Sequence, residues 1–128
     1  MGPAAQRLTG SRAPLSHLAL VFRAVHAAIA TGFLSAIAYV WWCALSGRRG
    51  PLLRVALTAL AAEGVLVVVN HGDCPLGPLQ DRAGDPVPLF ELVLSPAAAR
   101  RAVPALALVT IAGVALLARG RGDRSTGP

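Results

Sequence analysis

Cys74 closely follows His71 and Asp73 in the run NHGDCPLGPLQDRAGDPVPLFELVL, Asn70 to Leu94. A thiol, an imidazole and a carboxylate are the groups that ligate metals, carry redox chemistry or form a nucleophile with its base. His17, Arg23, His26 and Glu63 add further candidates upstream, and Cys43 is the second thiol. Each chemistry makes a demand on spacing. Zinc favours patterns such as paired Cys-x-x-Cys, and the spacing of His17, His71, Asp73 and Cys74 matches none. Haem between His26 and His71 needs both ligands at one depth, and the two histidines are expected at different depths. Thiol catalysis needs a group that lowers the thiol pKa, and the sequence assures none beside Cys74. The reading is therefore no cofactor, no metal and no catalytic residue.

The elements that position these residues are apolar runs. Hydrophobic residues make up 55% of the chain and charged residues 14%, against about 25% charged in a soluble domain. From Ala24 to Leu45 there is no formal charge, a run exceeding the ~20 residues that cross a bilayer as a helix. Ser16 suits its N-cap, and Tyr39, Trp41 and Trp42 mark a membrane boundary. The turn SGRRGP, Ser46 to Pro51, ends one helix at Gly47 and starts the next at Pro51. A second run reaches Asn70, and a third starts at Ser95–Pro96 and ends near Ala118. The eight-residue stretch VPLFELVL, Val87 to Leu94, is too short to cross and fits an interfacial segment.

The expected fold is an all-α membrane protein: three transmembrane helices in an antiparallel bundle, an ordered Pro/Gly-rich cap loop and a short interfacial segment. The spans fall at about 16–45, 51–70 and 96–118 within a single domain, 16–118. The cap loop is 71–95, the segment 1–15 is flexible, and the Arg-rich tail 119–128 is disordered.

The net charge of +6 comes from arginines that flank the apolar runs. That placement points to membrane ends rather than nucleic acid. Arg48, Arg49, Arg54, Arg119, Arg121 and Arg124 share one face, and Arg7, Arg12, Arg82, Arg100 and Arg101 share the other. The bias places the N-terminus outside and the C-terminus in the cytoplasm of a multi-pass cell-membrane protein.

Two groupings follow. Glu63 lies inside the second run, about 10 Å below the cap at helical rise. Arg23 and His26 share a helix face near the same depth, so Arg23, His26 and Glu63 are expected to form an intramembrane polar cluster. In the cap motif His71, Asp73, Cys74, Pro75, Leu76, Pro78 and Leu79, the prolines prevent helix continuation, Leu76 and Leu79 anchor in apolar contacts, and Cys74 packs as a small side chain. An intramolecular Cys43–Cys74 disulfide is excluded, because the two lie at opposite interfaces.

CPLGPLQ, Cys74 to Gln80, resembles the Cys-Pro-Leu-x-Pro-Leu-Glu motif of a family of small bacterial membrane proteins of unknown function. The resemblance covers roughly Arg23 to Ala118. It implies three spans with the motif after the second and a His in the first, which His26 matches. Gln80 stands where the family carries an acidic residue, and Phe90–Val93 lacks the His often found beside the Glu. The resemblance supplies an architecture and no reaction.

The leading functional reading is a non-enzymatic interaction or accessory protein. Its partners are the lipid bilayer and a second copy or another membrane protein, with no nucleic acid. The alternatives are a small-molecule, metal or redox site built from Glu63, His26, His71 and Cys74, or a subunit of an oligomeric transporter or channel.

Overall fold

The structure, a computed structural model, describes residues 14–125 and 127, without the side chain of Arg124. Arg7, Arg12 and nearly all of the expected flexible segment 1–15 lie outside the described residues. Helix α1 covers His17–Ser46, α2 Pro51–Val69, α3 Leu76–Arg82 and α4 Pro96–Ser125, with a 3-10 turn at Leu89–Leu92 before α4. Among the described residues three helices, α1, α2 and α4, are long and apolar enough to cross a membrane. Their outer faces expose Leu18, Val25, Leu52, Val55, Leu66 and Leu108. Such continuous apolar cover suits lipid and not water.

The helix ends follow from local chemistry. The Ser16 hydroxyl accepts the Ala19 amide at 3.2 Å and caps α1. Gly47 closes α1 at φ 69°, a left-handed conformation that Gly adopts without a Cβ clash. Pro51 begins α2, where its missing N–H costs no helical bond. The short turn sends α2 back antiparallel to α1.

α1 is the central helix. It packs against α2 on one side and α4 on the other, while α2 and α4 barely touch. The core gathers at the end carrying the α1–α2 turn, from Val40, Cys43, Leu53, Ala56 and Leu117. Trp41 belongs to the α1–α4 seam: its indole N–H donates to the Val109 carbonyl at 3.0 Å, and a Cβ added at Gly113 would lie 2.9 Å from that nitrogen. Trp42 faces outward with the Arg48 guanidinium 5.9 Å from its ring. Arg49 donates to the Leu117 carbonyl at 3.1 Å and the Cys43 carbonyl at 3.4 Å, tying the turn to α4.

The structure differs from expectation at the end of α4 and within the cap loop 71–95. α4 does not stop at Ala118 but continues through Arg119 and Arg121 to Ser125. Extending an existing helix fixes only one residue per added bond, so a polar, Gly-containing stretch can follow a long apolar one. As expected, α2 ends at Val69 and does not continue through the cap prolines, but the cap is not wholly loop, because the prolines start a new helix. Pro75 precedes α3 and Pro78 lies in its first turn, where backbone N–H groups have no intrahelical acceptor to lose.

Candidate functional site

α1 carries Arg23 and His26 one turn apart on the face turned toward the cap. α2 ends beside them by a reversal at His71–Gly72. The Gly72 amide donates to the Val67 carbonyl at 2.8 Å and the His71 amide to Val68 at 3.2 Å. These two bonds are the paired closure that satisfies the last helical carbonyls. His71 occupies the left-handed position at φ 59°, which Gly fills far more often. α3 ends by the same device, with Gly84 at φ 90° and bonds from Gly84 to Asp81 and from Asp85 to Gln80. The two reversals fold residues 71–85 over the ends of the bundle.

This path delivers Asp85 and Gln80 to α1. The Asp85 carboxylate, 1% exposed, receives both nitrogens of a bidentate Arg23 fork, Nε at 2.6 Å and Nη2 at 2.5 Å. The match of planar guanidinium and carboxylate gives such pairs direction as well as strength. Arg23 holds the Asp85 carboxyl below its ordinary value, chiefly through that hydrogen bond. The Gln80 side-chain amide, equally enclosed, donates to Asp85 Oδ2 at 3.0 Å and to the Val87 carbonyl at 2.7 Å. Its Oε1 lies 2.6 Å from His26 Nδ1. On the far side of the ring, His26 Nε2 lies 3.5 Å from Cys74 Sγ. Phe22 meets the imidazole edge-on, with ring centroids 6.3 Å apart.

The hydrogen-bond roles are forced from one end. Asp85 and the Val87 carbonyl only accept, so the Gln80 nitrogen must face them. A flipped amide would set its oxygen against two acceptors. Gln80 Oε1 therefore accepts, and His26 Nδ1 must carry a proton to donate. In the neutral ring Nε2 then holds the lone pair and faces the Cys74 thiol. Burial pushes the Cys74 thiol up from its ordinary pKa, and backbone amides of the following turn oppose that only in part. Nε2 of that neutral ring thus faces a thiol that burial shifts toward its protonated form.

The expected pairing of Glu63 with Arg23 or His26 is corrected by these contacts. Arg23 is taken by Asp85 and His26 by Gln80 and Cys74. The helical runs placed Glu63 at the right depth, but the cap supplies nearer partners from residues 80 and 85. Glu63 instead lines an open groove of about 1500 Å³ between α2 and α4, floored by α1. His26, His71, Cys74, Glu91 and Arg100 also line it toward the cap, and Leu57, Leu60, Val103 and Val114 line its apolar remainder. The remaining cap residues divide. Leu76 is half-buried in the groove wall, but Leu79 is 46% exposed and does not anchor as expected. The Asp73 side chain is exposed, and its carbonyl accepts from Asn70 at 3.2 Å. His17 is exposed at the start of α1. Among the described residues no three His, Cys, Asp or Glu side chains gather as a metal site would.

Sequence reasoning missed Gln80 and Asp85. The available signal was polarity in the cap: Gln80 closes the CPLGPLQ motif, and Asp85 sits between a turn-forming Gly and Pro86. Comparison with family models, characterised proteins and solved structures returns no match.

Proposed function

We propose that this multi-pass membrane protein holds an amphipathic small molecule in the groove between α2 and α4. The supporting observation is the groove's division along its length. Toward the cap it is lined by His26, Glu63, His71, Cys74, Glu91 and Arg100, and beyond them almost wholly by aliphatic side chains. A molecule with a polar end and an apolar body meets complementary surroundings in one orientation only. Behind that polar end the Arg23–Asp85–Gln80 chain holds the His26 ring that lines it.

The test is photo-crosslinking of the full chain in phosphatidylcholine nanodiscs with a photoactivatable long-chain fatty acid. Adducts are expected at groove residues such as Leu60 and Val103 in preference to the outward-facing Leu52 and Leu108, and Ala107→Phe should reduce them severalfold. Labelling spread evenly over inner and outer faces would overturn the reading. So would occupation of the groove by a helix of a second copy or of another protein, detected by cysteine cross-linking. That outcome would return the chain to the class of accessory subunits.

A further inference from the structure

We propose that Cys74 is an acyl acceptor: it attacks a long-chain acyl thioester and keeps the acyl group as a thioester of its own, with the chain lying in the groove. This inference rests on reading the groove as a site for amphiphiles.

Three observations carry it. The first is the orientation of His26: Gln80 takes its Nδ1 proton, so in the neutral ring the lone pair of Nε2 faces the thiol at 3.5 Å. A base held beside a thiol is the arrangement that makes a nucleophile from a group that is otherwise protonated. The second is the isolation of that thiol. Cys43, the other cysteine, is buried in the core at the opposite end of the bundle. Two-electron chemistry through an intramolecular disulfide is therefore closed to Cys74, whereas acyl transfer needs one thiol and a donor. The third is continuity, since Cys74 and His26 line the same groove as the aliphatic residues. On α4 the lining runs from Ala99 to Ala118, about 28 Å at 1.5 Å per residue, enough for an extended long-chain acyl group.

The step balances without an oxidant or reductant. His26 Nε2 takes the thiol proton as Cys74 Sγ bonds to the donor's carbonyl carbon. The carbonyl carbon–sulfur bond to the donor thiol breaks, and the departing thiolate receives the proton from His26. The products are S-acylated Cys74 and a free thiol. His26 is the catalytic base; Gln80, Asp85 and Arg23 act through it as positioning residues.

The full chain in phosphatidylcholine nanodiscs is incubated with palmitoyl-coenzyme A or acetyl-coenzyme A. Acylation is read by intact mass, hydroxylamine lability and peptide mapping. Cys74 should take palmitoyl and Cys43 should not. Palmitoyl transfer should be roughly tenfold faster than acetyl transfer, and His26→Ala should slow it roughly a hundredfold, within the range for a positioned base. A Cys74→Ser variant also carrying Val93→Cys, at a position 82% exposed on the cap, supplies a thiol without a base. Its acylation at the rate of Cys74, or an equal rate for acetyl and palmitoyl, would overturn the proposal even if His26→Ala fails to fold. Crosslinking of the photoactivatable fatty acid to Cys74→Ser separates the two readings. Groove adducts without acylation of the wild type would remove the acyl inference alone, and loss of both would remove the groove reading with it.

Discussion

Asp85 shows how much one cap residue determines. Its carboxylate is enclosed, charged and held by Arg23. Removing one partner of such a pair leaves the other charge poorly solvated. Asp85→Asn should cost about 3 kcal/mol in thermal unfolding, the low end of the range for breaking a buried pair, because the Arg23 side chain is 26% exposed. Arg23→Met combined with Asp85→Leu should cost less than Asp85→Asn alone, and an equal or larger loss would argue against the pair. The pH dependence has a definite sign. Because the folded carboxyl pKa is depressed, its contribution is complete above the unfolded value of about 3.9 and is lost as pH falls through the folded one. The stability gap between wild type and Asp85→Asn should therefore narrow below about pH 4. Cys74 behaves oppositely. Its pKa is raised, so the advantage of the buried neutral thiol is present below about pH 8.5 and lost as pH rises through the folded value. Unfolding temperatures of wild type and Cys74→Ala, compared from pH 7 to pH 10, should diverge against the wild type.

Among the elements, the two reversals in the cap use one geometry with different residues. Gly84 fills the left-handed position after α3, and His71 fills it after α2. A non-Gly residue there costs roughly 1 kcal/mol, so His71→Gly should raise stability by about 0.5–1 kcal/mol. Unchanged or lower stability would mean that the His71 side chain, which lines the groove, offsets its own backbone strain. The seam between α1 and α4 offers a second test. Gly113→Ala should destabilise by about 1–3 kcal/mol because the new methyl meets the Trp41 ring, and Trp41→Phe should relieve part of that cost. Equal losses in the two Trp41 backgrounds would place the clash elsewhere. These elements also show what the sequence could and could not disclose. A bilayer fixes the length of an apolar run, so the three long helices were legible, and so was the Ser16 cap. The partner of Arg23 was not. It lies 62 positions away, on a segment whose path depends on where Pro75 and Pro78 start a helix and where His71 and Gly84 reverse the chain. Proline was read there only as a bar to continuing the second helix, because its tolerance at a helix start becomes visible only once that start is known.

At the scale of the whole molecule, unequal helix lengths determine how the bundle meets a bilayer. α2 has 19 residues, about 28 Å at 1.5 Å per residue, close to the ~30 Å hydrocarbon thickness. Its two ends therefore mark the two boundaries. α1 and α4 have 30 residues each, about 45 Å, and must project. α1 projects at the cap through the turns before Arg23, and α4 projects at the other end through Arg119 and Arg121. Three crossings put Arg82 and Arg121 on opposite sides, with Arg48 beside Arg121. Single reporters Arg82→Cys, Arg121→Cys and Arg48→Cys, in a chain with Cys43→Ala and Cys74→Ala, can be labelled with an impermeant maleimide before and after permeabilisation. Positions 48 and 121 should respond together and position 82 alone, while Leu108→Cys should stay unlabelled in both conditions because it faces the membrane interior. Labelling of positions 82 and 121 from the same side would mean that α4 does not cross. The groove would then lose its α4 wall within the bilayer, and a chain-length preference at Cys74 would have no structural cause.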